Sequence, residues 1–306
     1  IDIADDRFNE LMDKALEVVE GIRFREHAEQ LKKISGKKLK SVIENAMVND
    51  DLALLLRLKR IFPGRKEIDE AVKRLLSRYR GVADGIMKNS PDLFPYREQI
   101  MMLAHRRFLG PDPVRHAADR DHKRFVEAMM SAGNKFADTA CVMNEIFCED
   151  MMGQESMRGI FKEDPKAFMD IVKEAEQIGE GINKIFEEDL FGKQVLRRSA
   201  ENDLEGFVFL VRAITRIGGA NVDILSKTFD ILDKMNVRQL AENDPMMLGR
   251  VVNDIASLGS MEFFGHCNML KRYFGEEKIR KAFMNDPNGF SRGIYLLGQQ
   301  DFSRSL

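Results

Sequence analysis

The chain has 306 residues, of which 44% are hydrophobic and 32% are charged, with three cysteines and no tryptophan. No apolar run approaches the roughly 18 residues that a membrane-spanning helix needs, so membrane insertion is not expected. Three scattered cysteines are too few for a disulfide framework, which favours a reducing compartment. The abundant Leu, Ala, Met, Glu, Lys and Arg are good helix formers and predict an all-α fold.

The formal net charge of −2 is distributed unevenly along the chain. Residues 1–21 carry a net charge of −5, residues 22–124 carry +10 and residues 125–306 carry −7. We interpret these segments as an acidic amino-terminal cap helix, a basic helical region with degenerate repeats, and a regular two-helix repeat array. A basic region of this kind either faces a polyanion or is the solvated side of ordinary helices.

The basic region contains three dense stretches of lysine and arginine: KKISGKKLK at 32–40, RLKRIFPGRK at 57–66 and HRRFLGPDPVRHAADRDHKR at 105–124. The second stretch includes an aromatic residue, Phe62, which either stacks on a nucleobase or belongs to the core. The core is the more common place for such a side chain. These stretches are the candidate sites of polyanion contact.

Two weak copies of a helix-start motif lie in this region. Asp50-Asp51 is followed by Leu54, and Ser90-Pro91 is followed by Phe94. The distance from the second copy to the next, complete copy is about ten residues shorter than the repeat period of about 40 predicts. A clipped helix is expected there.

From residue 115 onward the motif is complete: an arginine, an acidic residue six positions later and a large apolar residue four positions after that. The acidic side chain accepts a hydrogen bond from the free N–H groups of a first helical turn, and a following proline suits that turn. The apolar residue is expected to face the core, and glycines such as Gly179, Gly218 and Gly259 close the helices. The copies comprise Arg115 with Asp121, Arg158 with Asp164, Arg197 with Asp203, Arg238 with Asp244, and Arg280 with Asp286.

Each complete copy marks the second helix of a unit, and the first helix lies between the copies. In the best-defined unit Asn221 is predicted to cap the helix VDILSKTFDILDKM, and a short helical turn, VRQLAE, leads to Asp244. Successive arginines are 43, 39, 41 and 42 residues apart. Two helices with one apolar stripe each bury those stripes by stacking on a neighbouring unit. The predicted fold is an α-solenoid of two-helix repeats with a period of about 40 residues.

The run DPMMLGRVVNDIASLG at 244–259 resembles the second helix of octotricopeptide and heptatricopeptide-like repeats. In those repeats an Asn/Asp-Pro pair is followed by an apolar residue three places on, Ser/Gly-Asn/Arg, an apolar stripe and a closing Leu-Gly. The run DPNGFSRGIYLLG at 286–298 is similar and ends in Leu297-Gly298. Where those families often have a tryptophan, this chain has Asn253 or Tyr295.

The resemblance implies an RNA-associated protein of mitochondria or another organelle, with a cytoplasmic location as the alternative. An organelle protein would have lost a targeting peptide, which is consistent with a chain that opens at Ile1. The expected partners are single-stranded or ribosomal RNA and neighbouring proteins of a larger assembly, with no cofactor and no small-molecule substrate. The residues predicted to bind RNA are Lys37, Lys38, Lys40, Arg57, Lys59, Arg60, Arg65, Lys66, Arg106 and Arg107.

The five repeated arginines form a ladder with one residue per unit. They are either a row of phosphate contacts or a structural joint, in which each arginine pairs with a recurring acid or donates to carbonyls at a helix end. Their recurrence beside the capping aspartate favours the structural role.

No catalytic or metal-binding motif outweighs an ordinary structural role. His105, His116 and His122 lie near several aspartates but without HExxH or paired-cysteine spacing. Cys141 and Cys148 share a helix face and are interpreted as small buried residues. We therefore predict a non-enzymatic helical-repeat component of a ribonucleoprotein, and the alternative is a protein-interaction scaffold that does not contact RNA.

Overall fold

The computed structural model describes residues 36–88, 90–132, 142–143, 146–147, 149, 151–178, 185–186 and 190–304. Within these ranges all regular secondary structure is helical, with 17 α-helices and two short 3₁₀ helices, so the prediction of an all-α fold is confirmed. No helix in the described ranges combines the length and apolarity needed to cross a bilayer. The predicted cap helix at 1–21 lies outside the described residues, as do Cys141, Cys148 and Gly179.

The chain divides into two compact units, Ile1–Cys148 with Met157–Met169, and Glu149–Ser156 with Asp170–Leu306. The helices at Gln154–Glu163 and Pro165–Ile178 each contribute residues to both units. The helices that begin before residue 170 are α1 (Gly36–Val48), α2 (Leu52–Ile61), α3 (Lys66–Ser77), α4 (Arg80–Lys88), α5 (Arg97–Leu103), α6 (Pro111–Arg120), α7 (His122–Ala132), α8 (Gln154–Glu163) and α9 (Pro165–Ile178), with a 3₁₀ helix at Pro91–Tyr96.

Aromatic side chains form much of the core of the first unit. Phe161 and Phe168 meet edge to face with ring centroids 5.1 Å apart. Phe125 packs on Phe161 and Phe147 packs on Phe168, each pair with centroids 6.1 Å apart. Phe125 and Phe168 occupy the apolar position of the repeated motif, and both are fully buried as predicted.

The second unit repeats three kinds of helix. The ten-residue helices α10, α13 and α16 begin at residues 193, 234 and 276, and each is followed by a longer helix. The helices are α10 (Lys193–Asn202), α11 (Leu204–Ile217), α12 (Val222–Leu232), α13 (Lys234–Asn243), α14 (Pro245–Leu258), α15 (Ser260–Phe274), α16 (Glu276–Asn285) and α17 (Pro287–Arg304), with a 3₁₀ helix at Gly219–Asn221. Helix α11 packs on α14 and α14 on α17, while α10 packs on α13 and α12 on α15.

The prediction of two helices per unit is wrong, because the expected short turn VRQLAE belongs to a separate helix, α13. Asp233 interrupts the chain between α12 and α13 with a φ of 77°. Its side chain accepts a hydrogen bond from the N–H of Met235 at 3.1 Å and so starts the new helix. Asn221 does not cap α12; its side-chain amide donates to the carbonyl of Ile217 at 3.0 Å, at the end of α11.

The predicted aspartate caps are confirmed in six places. Asp244, for example, accepts a hydrogen bond from the N–H of Met247 at 2.8 Å. Each of these aspartate side chains caps a helix by accepting a hydrogen bond from a backbone N–H two or three residues further along the chain. The capping residues are Asp51, Asp121, Asp164, Asp203, Asp244 and Asp286.

The weak copy at Ser90 does not begin an α-helix. The Ser90 hydroxyl lies 3.2 Å from Nδ1 of His122 and makes no capping bond. Pro95 lies inside this 3₁₀ helix and has no N–H to donate within it. Phe94, the predicted core residue of this copy, is 62% exposed, so that part of the prediction is wrong.

Gly298 does not end the last helix, although the Leu-Gly pair predicted a closing glycine. Helix α17 continues through it to Arg304. A Cβ at Gly298 would lie 2.4 Å from a methyl carbon of Leu258, so the glycine allows close packing of α17 on α14.

Candidate nucleic-acid interface

The residues predicted to bind RNA lie on three helices and one turn of the first unit. The sequence of α1 contains Lys37, Lys38 and Lys40; that of α2 contains Arg57, Lys59 and Arg60; Arg65 and Lys66 begin α3; and Arg106 and Arg107 lie in the turn between α5 and α6. Their role in RNA binding stays a prediction. Phe62 is only 6% exposed and belongs to the core, so it does not form a stacking surface.

Two of the predicted lysines are paired with acidic groups. The ammonium of Lys59 lies 3.1 Å from a carboxylate oxygen of Asp69 on α3, and both side chains are partly exposed. Lys40 lies 3.9 Å from Glu44 on the same exposed helix face. Pairs this exposed contribute little to stability, so both lysines can exchange their partner for a phosphate.

Helix α3 and the residue that precedes it carry four exposed basic side chains. Arg65, Lys66, Lys73 and Arg74 are exposed and make no ion pair with any residue of the described ranges. Residues 57–74 contain seven lysines and arginines and three acidic residues. Lys73 and Arg74 were not among the predicted contacts, although Lys73 follows Lys66 by two helical turns and therefore lies on the same helix face.

A buried carboxylate anchors the predicted Arg106. Asp50 has a φ of 55° and is only 4% exposed. Its two carboxylate oxygens lie 2.6 Å from Nη1 of Arg78 and 2.7 Å from Nε of Arg106. Nη1 of Arg107 lies 3.5 Å from the carboxylate of Asp51. The turn that carries Arg106 and Arg107 is thus held against the start of α2, and both guanidinium groups remain partly exposed.

His105 completes this cluster without being accessible to solvent. Its Nδ1 accepts a hydrogen bond from the backbone N–H of Arg107 at 3.2 Å, and its Nε2 faces Asp50 at 3.6 Å. Its ring lies 5.1 Å from that of Tyr79. Burial lowers the pKa of His105 to about 4, against the opposing effect of Asp50. The buried imidazole thus helps to hold the turn that carries Arg107.

Four of the five repeated arginines hold backbone carbonyls 46 to 52 residues earlier in the chain. Nε of Arg197 donates to the carbonyl of Met151 at 3.0 Å, and its Nη2 donates to that of Glu149 at 2.6 Å. The structural role is therefore confirmed for these four. The others are Arg158 to Leu109 and Arg106, Arg238 to Leu190, and Arg280 to Asp230.

The carbonyls share one place in the repeat. Each lies one to four residues before a residue with positive φ, which immediately precedes a ten-residue helix. A turn of this kind leaves carbonyls without helical partners, and the guanidinium supplies the donors. Arg115 differs, since its guanidinium lies 3.7 Å from the carboxylate of Asp112 on the same helix. At the turns that the other four arginines contact, the residues with positive φ are Gly110, Gly153, Gly192 and Asp233.

No group of three His, Cys, Asp or Glu side chains within the described residues could hold a metal ion. Burial raises the pKa of the Cys267 thiol to about 12, so it remains a protonated core residue. No family model, curated protein or solved structure matches this chain. The resemblance to octotricopeptide and heptatricopeptide-like repeats therefore stays a prediction.

Proposed function

We propose that this protein is a non-enzymatic helical-repeat component of a ribonucleoprotein and that it contacts single-stranded or ribosomal RNA through its first unit. The observation that carries the proposal is the exposed group of Arg65, Lys66, Lys73 and Arg74, none of which forms an ion pair with a described residue. Neutralisation of phosphates by such side chains supplies most of the affinity of non-specific RNA binding.

The proposed architecture is an α-solenoid with a period of about 40 residues. Its support comes from the second unit, where α11 packs on α14 and α14 packs on α17, and where the ten-residue helices start 41 and 42 residues apart. Helical stacks of this kind expose long surfaces and bind extended partners. An organellar location is proposed on the resemblance alone.

A salt titration of RNA affinity tests the proposal. We expect a single-stranded RNA of about 20 nucleotides to bind the full chain with an affinity that falls by at least tenfold between about 50 and about 200 mM salt. Reversal of Arg65, Lys66 and Lys73 to glutamate is expected to lower the affinity and to reduce the slope of log affinity against log salt by about 0.7 per contact.

The matched control reverses three basic residues of the second unit, Lys227, Arg250 and Lys278, which are exposed and make no ion pair with the described residues. Both variants change the net charge equally, so only a local contact distinguishes them. Absence of RNA binding at low salt, or equal losses in the two variants, would contradict the proposal.

A protein-interaction scaffold is the second candidate function. It is favoured by apolar side chains exposed on the last three helices, including Tyr273 at 79% and Phe274 at 57%. A scaffold that does not contact RNA would show no affinity in the titration above.

A further inference from the structure

Three arginine side chains pair with two adjacent aspartates in the first unit. Arg78 follows the last residue of α3, while Arg106 and Arg107 belong to the turn between α5 and α6. These three side chains are 52%, 69% and 43% exposed, whereas the side chain of Asp50 is buried and that of Asp51 is 24% exposed. The five groups carry three positive and two negative charges, and the more exposed ones are all positive.

Arg78 and Arg106 lie side by side because they share one carboxylate. Nη1 of Arg78 contacts one oxygen of Asp50, and Nε of Arg106 contacts the other oxygen. Beyond these contacts and that of Arg107 with Asp51, the side chains of Arg78 and Arg107 have no polar partner among the described residues. A guanidinium has five N–H donors in one plane, so both arginines keep donors for an incoming anion.

The backbone that carries these arginines is fixed at several points. The N–H of Arg106 donates to the hydroxyl of Tyr79 at 3.3 Å, and its carbonyl accepts from Nη2 of Arg158 at 3.2 Å. The N–H of Arg107 donates to Nδ1 of the buried His105. An anion that binds here meets side chains whose base is already ordered, so binding costs less conformational entropy.

The arginines continue the basic surface of α3. Arg78 lies one helical turn after Arg74 and keeps the helical backbone angles of φ −63° and ψ −26°. The two side chains are therefore neighbours on one helix face. Arg74 makes no ion pair with a described residue, and like charges at this spacing repel each other. A bound anion would relieve that repulsion.

We propose that Arg78, Arg106 and Arg107, here called the guanidinium cluster, form a binding site for one phosphate group. This inference rests on the proposed function, because the continuity with α3 makes RNA the expected source of the phosphate. A phosphate accepts hydrogen bonds from more than one guanidinium at once, and the planar fork of arginine matches its oxygens. Asp50 and Asp51 orient the arginines and do not contact the ligand.

A substitution that conserves charge tests whether the arginines are positioned for this contact. Arg78→Lys keeps a cation beside Asp50 but removes the planar fork. RNA affinity is expected to fall by at least about fivefold, while the slope of log affinity against log salt stays at its native value. Arg107→Lys is expected to act in the same direction, and it leaves the buried carboxylate of Asp50 paired. Circular dichroism checks that both variants are folded.

The matched control is Arg198→Lys in the second unit. Arg198 is 60% exposed and lies 3.1 Å from Glu242, so it is an exposed guanidinium on a carboxylate, as Arg78 is. This variant is expected to bind RNA with native affinity. Native affinity in Arg78→Lys and Arg107→Lys as well would overturn the phosphate site and would leave the proposed function intact.

A second measurement needs no RNA. Sodium phosphate added at constant ionic strength is expected to shift the Nε–H resonances of Arg78 and Arg107 in NMR spectra of the ¹⁵N-labelled full chain. The resonance of Arg198 is expected to stay in place, and the lysine variants supply the assignments. Absence of the shifts would overturn the site. The shifts without any RNA binding would support a site for a free phosphate compound and contradict the proposed function.

The 5′ end of the RNA distinguishes a terminal phosphate from an internal one. Two oligonucleotides of the same sequence are compared, one with a 5′-phosphate and one with a 5′-hydroxyl. A 5′-phosphate that raises the affinity of the native chain, but not that of Arg78→Lys, assigns the site to a strand end. Equal affinities of the two oligonucleotides, with Arg78→Lys weaker for both, assign it to an internal phosphodiester. Either result supports the site.

Discussion

The repeated arginines show how one residue type can join successive parts of a helical chain. The guanidinium of Arg197 donates hydrogen bonds to two carbonyls, those of Met151 and Glu149, at the turn before α8. The side chain is only 17% exposed, so water replaces the guanidinium poorly when it is removed.

The first prediction concerns this joint. Arg197→Met keeps the apolar stem but removes both donors, and it is expected to lower the free energy of unfolding by about 2 kcal/mol. Arg250→Met is the control, since Arg250 is exposed and makes no ion pair with the described residues, and it is expected to change stability by less than about 0.5 kcal/mol. Urea unfolding measures both; equal effects would show that the joint contributes nothing.

The second prediction concerns His105, whose pKa is about 4 in the fold and about 6.5 in an unfolded chain. Between these values the unfolded chain binds more protons. The stability provided by the neutral imidazole is therefore complete above about pH 6.5 and is lost as the pH falls towards 4, by up to roughly 3 kcal/mol. The charged groups facing this histidine are Asp50, Arg106 and Arg107.

The measurement is the slope of unfolding free energy against pH between about 6.5 and 4.5, the interval that these pKa values define. His105→Gln is expected to make that slope shallower, whatever it does to the absolute stability. His116→Gln removes an exposed histidine and is expected to leave the slope as it is. A His105→Gln chain with the native slope would contradict the assignment.

At the scale of helices, a residue with positive φ decides where one helix ends and the next begins, and a glycine allows two neighbouring helices to pack closely. Asp233 has the positive φ that glycine has at equivalent turns, and it divides one predicted segment into α12 and α13. Gly249 lies where α14 approaches α11 closely: a Cβ there would lie 2.4 Å from a ring carbon of Phe209.

The third prediction uses two helical glycines with different surroundings. Gly249→Ala is expected to destabilise the protein by about 1–3 kcal/mol, because the ring of Phe209 or the helix itself must move. Gly265→Ala is expected to stabilise the protein by up to about 1 kcal/mol, because its new methyl group would meet no other part of the chain within 4 Å. Thermal and urea unfolding compare them, and a stabilising Gly249→Ala would show that the two helices are not in tight contact.

At the scale of the whole molecule, the proposed solenoid makes a claim about how stability is distributed. In a linear stack each repeat is stabilised only by its neighbours, so the repeat with one neighbour opens more easily than a repeat with two. A cooperative globule opens as one body.

The fourth prediction follows from this difference. Amide hydrogens in α16 and α17 are expected to exchange on the order of ten times faster than those in α13 and α14. Mass spectrometry of peptic fragments under native conditions makes the comparison. Equal protection in the two pairs of helices would count against the solenoid.

The sequence by itself determined the helical class, the aspartate caps and the four buried apolar positions at Phe125, Phe168, Phe207 and Leu248, because these depend on local hydrogen bonds and on spacing along one helix. Asp244 and Leu248 are examples: one caps α14 and the other is fully buried. The structural role of the arginine ladder was also foreseen from its place beside the caps. The sequence did not predict which carbonyls each arginine contacts, because the acceptors lie 46 to 52 residues earlier in the chain.

Only the tertiary structure decided the roles of Asp50, His105 and Phe94. A buried carboxylate between two arginines brings together residues 50, 78 and 106, and no local pattern encodes that meeting. Phe94 has the residue type of a core position but no helix in the described structure covers it. Burial and long-range pairing depend on which surfaces meet, and that is a property of the folded chain and not of any one segment.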